Sequence, residues 1–136
     1  MTSALDRLAD LAAEPADAKE FAGLKARGLA RLKDAGNAGN SLGGRFDMAY
    51  IGAHALCLAA LRYRGYRPKN RYIVFQALPH TLGLGPEVWR VLAKGHEIRN
   101  RGEYEGDLEV DERIVSDLIT ACRAVAAKLE PLEPLR

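Results

Sequence analysis

Apolar positions recur along the chain at helical spacing almost throughout. Leu5, Leu8 and Ala12 predict a short helix over 3–13, interrupted by Pro15. A second helix is expected from about Ala16 to Asp34, with Phe21, Leu24, Gly28 and Leu32 on one stripe. Gly36-Asn37-Ala38-Gly39-Asn40 breaks it, and Ser41 is placed to cap the next element. That element, about Leu42 to Tyr63, carries Phe46, Tyr50, Ala53, Cys57 and Leu61 on one face and Met48, Ile51, Ala55 and Leu58 on another. A helix apolar nearly all round belongs at the centre of a fold.

Residues 70–78 are rich enough in β-branched and aromatic side chains to form a strand. With no partner strand evident, a helix is the reading adopted, ended or kinked by Pro79. Gly85-Pro86-Glu87 is a helix start, with proline in the first turn and an acid beside it. Its stripe runs Val88, Leu92, His96 and Arg99. Residues 102–110 read as an acidic loop. Asp111 caps a last helix with a core stripe of Ile114, Leu118, Cys122, Val125 and Leu129, and residues 130–136 form a proline-containing tail. The pattern predicts one all-α domain over 1–136, an up-and-down bundle of four to five antiparallel helices.

Composition narrows the function. At 136 residues the chain can bury one core without disulfides or a structural metal. Cys57 and Cys122 lie in apolar stretches, and no Cys/His cluster has metal-ligand spacing, so no metal and no cofactor are expected. No apolar run is long enough to span a bilayer and no leader is evident, which predicts a cytoplasmic protein away from membranes. The net charge of +2 excludes a generally polycationic nucleic-acid coat protein, but it leaves room for local patches.

Two features suggest chemistry. Arg99 falls on a stripe that periodicity assigns to the core or to a partner, so it must be paired or face a cleft or an interface. One reading makes it structural, bonded to a carboxylate such as Asp47. The other makes it a phosphate fork, with Asn100 beside it and His96 one turn earlier as a general base. The run 62–72 holds Arg62, Arg64, Arg67, Lys69 and Arg71 with three of the five tyrosines. Cations between aromatics suit a nucleotide or single-stranded RNA, although a solvated helix end has the same composition. The acids of the loop, Glu103 to Glu112, lack calcium-hand spacing and read as solvated. His54 lies one turn after Tyr50 and shares a face with Asp47, which allows a buried Asp–Tyr–His hydrogen-bonded set, with a satisfied core histidine the reading adopted. His80 carries no signal, and Trp89 is read as packing.

The stretch from Arg45 to Tyr66, followed by Arg99-Asn100 and Tyr104, resembles the HEPN family of prokaryotic all-α domains over about residues 16–130. The resemblance implies a four- or five-helix bundle that homodimerises and brings two signature arginines together. It implies binding of a nucleotide or RNA within a toxin–antitoxin system, or pairing with a nucleotidyltransferase partner. Many members are metal-independent ribonucleases. The family motif places a histidine where this chain has Tyr104, and a tyrosine is a poor base near pH 7. The resemblance therefore implies a catalytic set of Arg99, Asn100, Tyr104 and His96 only if His96 or Tyr104 replaces that histidine. A third reading, a non-catalytic interaction module, predicts an Arg99–carboxylate pair and no cleft joining Arg99 to the basic run.

Overall fold

A computed structural model describes residues 5–105 and 110–135, without the side chains of 7 and 103–105. The chain is an all-α bundle with one short ribbon. Four long helices dominate: α1 (Ala18–Ala35), α2 (Leu42–Tyr63), α5 (Pro86–Glu105) and α6 (Glu112–Leu129). Two single-turn helices, α3 (Ile73–Gln76) and α4 (Leu78–Thr81), fill the connection between α2 and α5. Strands β1 (Leu11–Ala13) and β2 (Tyr66–Pro68) pair antiparallel, with Leu11 opposite Pro68 and Ala13 opposite Tyr66.

The helix starts follow from capping. The side chains of Asp17, Ser41 and Asp111 accept hydrogen bonds from the backbone N–H groups of Glu20, Gly44 and Ile114, which intrahelical bonding leaves unpaired. Between α1 and α2, Arg45 Nε donates to the carbonyl of Ala35 at 2.9 Å and closes the end of α1.

The expected central helix is central. α2 packs on α1, α3, α5 and α6, and its Phe46, Ala49, Ala53, Leu56, Cys57 and Leu61 are wholly buried. α1 and α2 approach closely at two glycines. A Cβ on Gly52 would lie 3.0 Å from the carbonyl oxygen of Gly28. A Cβ on Gly28 would lie 2.6 Å from Leu56. Glycine is needed here to let the two backbones approach.

The described residues before α1 depart from expectation. The helix expected over 3–13 does not form among its described residues, 5–13: Leu5–Arg7 is a 3-10 turn and Leu11–Ala13 is a strand, while residues 3 and 4 lie outside the described residues. A segment this short cannot repay helix nucleation, and Pro15 forbids its extension. Pairing with Tyr66–Pro68 satisfies its backbone instead. A partner strand of three residues carries no periodicity in the sequence. Gly65, at φ +88°, turns the chain from α2 into it. Pro68, which has no N–H, is tolerated because the ribbon has only two strands. Of residues 70–78, expected to be helical, only those from Ile73 onward are, in two single turns; 70–72 form a bend and turn. Pro79 lies in the first turn of α4 rather than ending a helix.

Arg62 holds this corner. Its side chain is 1% exposed. Nη1 donates to the carbonyls of Glu14 (2.9 Å) and Tyr66 (3.1 Å), and Nη2 to that of Pro15 (2.6 Å). Nε meets Glu20 Oε1 at 2.5 Å. Arg67 bridges Glu14 and Glu20 from outside, at 2.7 Å to each.

Candidate functional site

The stripe of α5 explains how a site arises. Val88 and Leu92 are buried, whereas His96 and Arg99, further along, are half-exposed. The core stripe therefore runs out into a cavity of about 280 Å³ between α1 and α2, with Arg71 and Arg99 on its rim. Arg27 of α1 supplies a third guanidinium. Leu24, Ile51 and Leu58 form an apolar wall, and Tyr50 and His54 complete the lining. No carboxylate lines this cavity among the described residues. Three like charges around one small space repel one another, and a bound anion relieves that repulsion.

Three of the sequence-predicted residues form a chain of contacts beside the cavity. Tyr50 Oη lies 2.8 Å from His96 Nδ1, and Asn100 Nδ2 lies 3.1 Å from His96 Nε2. A neutral imidazole protonated on Nδ1 satisfies both: it accepts from the Asn100 amide and donates to the Tyr50 oxygen. The Tyr50 hydroxyl proton is then free to donate elsewhere. Arg99 lies over the Tyr50 ring at 4.8 Å, and its Nε approaches Asp47 at 3.9 Å. Arg99 thus has a carboxylate neighbour, as the structural reading expects, and it also lines a cleft with a member of the basic run, as that reading does not.

The electrostatics follow the arginines. Burial, then the charges of Arg71, His96, Arg99 and Arg27, push the His54 pKa down to about 4. Burial, with Arg71 and Arg99, also lowers that of His96, opposed by Glu97. Burial raises the Tyr50 pKa, against the pull of Arg71 and Arg99. Both imidazoles are neutral near pH 7. His54 Nε2 is out of solvent and has no hydrogen-bond partner, an unpaired polar atom at the cavity wall. The Asp47–Tyr50–His54 set that the spacing allows does not form, because the Tyr50 hydroxyl is bonded to His96 instead.

A titration tests this arrangement. The His54 ring signal should stay neutral down to a midpoint of about 4, and saturating inorganic phosphate should raise that midpoint. A midpoint near the ordinary histidine value, or one unmoved by phosphate, counts against an anion site. The same depression removes stability as pH falls from the unfolded-state value toward 4, since the unfolded chain then binds the extra proton.

The basic run divides. Arg62 and Arg67 both pair with Glu14 and Glu20, Arg62 in the interior and Arg67 at the surface, and neither lines the cavity. Arg64 Nε donates to the carbonyl of Thr81 at 3.0 Å, and its guanidinium lies by the Tyr63 ring. Lys69 is exposed beyond β2. Arg71 alone of the run reaches the cavity. Arg27 was not singled out in the sequence; its one signal is its place three residues after the apolar Leu24, on the same helix face.

Tyr104 lies in the last turn of α5, and its side chain, like those of Glu103 and Glu105, lies outside the described residues, as do 107 and 109. No group of three or more metal-ligating side chains comes together among the described residues. The thiols of Cys57 and Cys122 are buried, and burial raises the pKa of both, that of Cys122 to about 12. No described helix is long and apolar enough to cross a membrane. A second cavity, of about 350 Å³, has apolar walls from Phe46, Val91, Ile98 and Leu118. Its charges balance, with Lys94 and Arg113 against Asp111 and Asp117, so it expresses no preference for an anion. Comparison with protein-family models, with curated proteins and with solved structures gives no match.

Proposed function

We propose that this helical domain binds the phosphate of a nucleotide or of RNA in the cavity rimmed by Arg27, Arg71 and Arg99. The observation that supports it is the convergence of three guanidinium groups, without a lining carboxylate, beside the unpaired His54 Nε2. Guanidinium forks match phosphate oxygens in pairs, and a cavity of this size takes a phosphate group with room for its substituent. The HEPN resemblance supports the same reading through Arg99 and Asn100. Homodimerisation and an association with a toxin–antitoxin or nucleotidyltransferase system belong to the proposal and rest on that resemblance alone. Calorimetric titration with inorganic phosphate and with a nucleoside monophosphate at low salt tests it: both should bind, and Arg99→Ala should weaken both.

A second reading, a metal-independent ribonuclease, is favoured by one observation. His96 is neutral and held between Tyr50 and Asn100, next to Arg99. To act as a base, Nε2 would exchange the Asn100 bond for the ribose 2′-hydroxyl and take its proton. The 2′-oxygen would then attack phosphorus as the bond to the 5′-oxygen breaks, leaving a 2′,3′-cyclic phosphate, and the departing 5′-oxygen would take a proton from water. The expected result is RNA cleavage in the presence of chelator, lowered about 10²–10⁴-fold by His96→Ala. Equal cleavage by the variant, or none by the parent, ends this reading.

A further inference from the structure

Arg71 lines the arginine cavity, but Tyr72, the next residue along the chain, does not. It is the one large apolar side chain exposed among the described residues, at 36%. Its ring stands 5.6 Å from that of His96, tilted by 59°. On the other side Tyr72 borders a depression of about 440 Å³ lined also by Trp89, Arg90, Ala93, Lys94 and Glu97. The Trp89 ring is half-exposed there, with the Arg90 guanidinium 5.5 Å from its centre.

We propose that Tyr72 and Trp89 form a nucleobase-stacking subsite beside the arginine cavity. The proposal rests on the phosphate reading above and adds the base to it: the ligand is a phosphate-linked nucleobase, free or at a single-stranded end. Arg71 lines the cavity and Tyr72 lines the depression, and neighbouring Cα atoms are about 3.8 Å apart. The cavity and the depression therefore meet at two consecutive residues, one lining each. Charge assigns the two halves in the same sense. The Glu97 carboxylate in the depression repels a phosphate but accepts hydrogen bonds from an exocyclic amino group. Arg90 and Lys94 offer cation–π and backbone contacts to an incoming strand. A half-exposed indole and an exposed phenol are what sequence-tolerant stacking uses.

Trp89 is the chain's single tryptophan, so its fluorescence reads this subsite alone. Adenosine monophosphate and a short oligoadenylate should both quench it, the two arms separating a free nucleotide from a strand by which one binds more tightly. Inorganic phosphate, followed by calorimetry, reads the arginine cavity. Tyr72 is exposed, so Tyr72→Ala should fold, as circular dichroism will verify. It should weaken adenosine monophosphate about tenfold and leave inorganic phosphate unchanged. Quenching by adenosine monophosphate without phosphate binding supports the subsite and overturns the arginine cavity. Phosphate binding without quenching by either adenine ligand, or an unchanged affinity in Tyr72→Ala, overturns the subsite and leaves the cavity standing.

Discussion

Replacing Arg62 with alanine is expected to lower folding stability by about 3–5 kcal/mol, the usual cost of removing one partner from a buried charge network. The side chain is 1% exposed and satisfies three backbone carbonyls, those of Glu14, Pro15 and Tyr66, besides Glu20. Its loss leaves those carbonyls without a donor and opens a side-chain-sized cavity at the end of α2. The carboxylates fare better, because Arg67 still bridges them. Arg67→Ala is the control. Its side chain is 39% exposed, so the change should cost only about 0–1 kcal/mol. Acid dependence provides a second reading. The hydrogen bonds of Arg67 and Arg62 hold the Glu20 carboxyl below its ordinary pKa. Its contribution is therefore fully present above the unfolded carboxylate value and is lost as pH falls through the lower folded one. Urea unfolding at pH 7 and pH 4 checks both: a smaller drop between the two pH values in Arg62→Ala is expected. A loss under 1 kcal/mol at pH 7 would show that the corner does not depend on this side chain.

That corner also marks where sequence patterns stop being informative. The bounds of α2 and the starts of α5 and α6 were legible because capping residues and long apolar stripes act locally. The β1–β2 ribbon was not, since it joins residues more than 50 positions apart through three-residue strands. Arg62 and Arg67 were read with Arg71 because all three fall in one run, and composition is blind to which cation meets a carboxylate. Glu14 and Glu20 select the first two, and only their position in space reveals it. Arg99 shows the converse. Its place on an apolar stripe correctly singled it out, because a cation there needs a reason. The stripe could not name Arg27 from another helix, nor the bond that takes the Tyr50 hydroxyl to His96 rather than His54.

Arg99→Ala is expected to weaken phosphate and nucleoside monophosphate binding about 10- to 100-fold, the loss of one charge-assisted contact. Arg99→Lys should recover only part, because an ammonium makes no paired contact with two phosphate oxygens. The same change should leave stability nearly unaltered. The pair with Asp47 is 3.9 Å long, and both side chains are well exposed to solvent, at 29% and 49%. Pairs of this kind contribute about 0–1 kcal/mol. Removing one of three mutually repelling guanidiniums offsets part of even that. This contrast separates the ligand-binding reading from the interaction module. An arginine kept to fix packing or register would, on replacement, lower the unfolding midpoint while phosphate affinity stayed unchanged. An arginine kept for an anion does the reverse, and it does so in a salt-dependent way, because the remaining Arg27 and Arg71 are exposed and screened. Calorimetry at low and high salt, run beside urea unfolding of the same variant, therefore assigns Arg99 to one role or the other by which of the two numbers moves and which stays fixed.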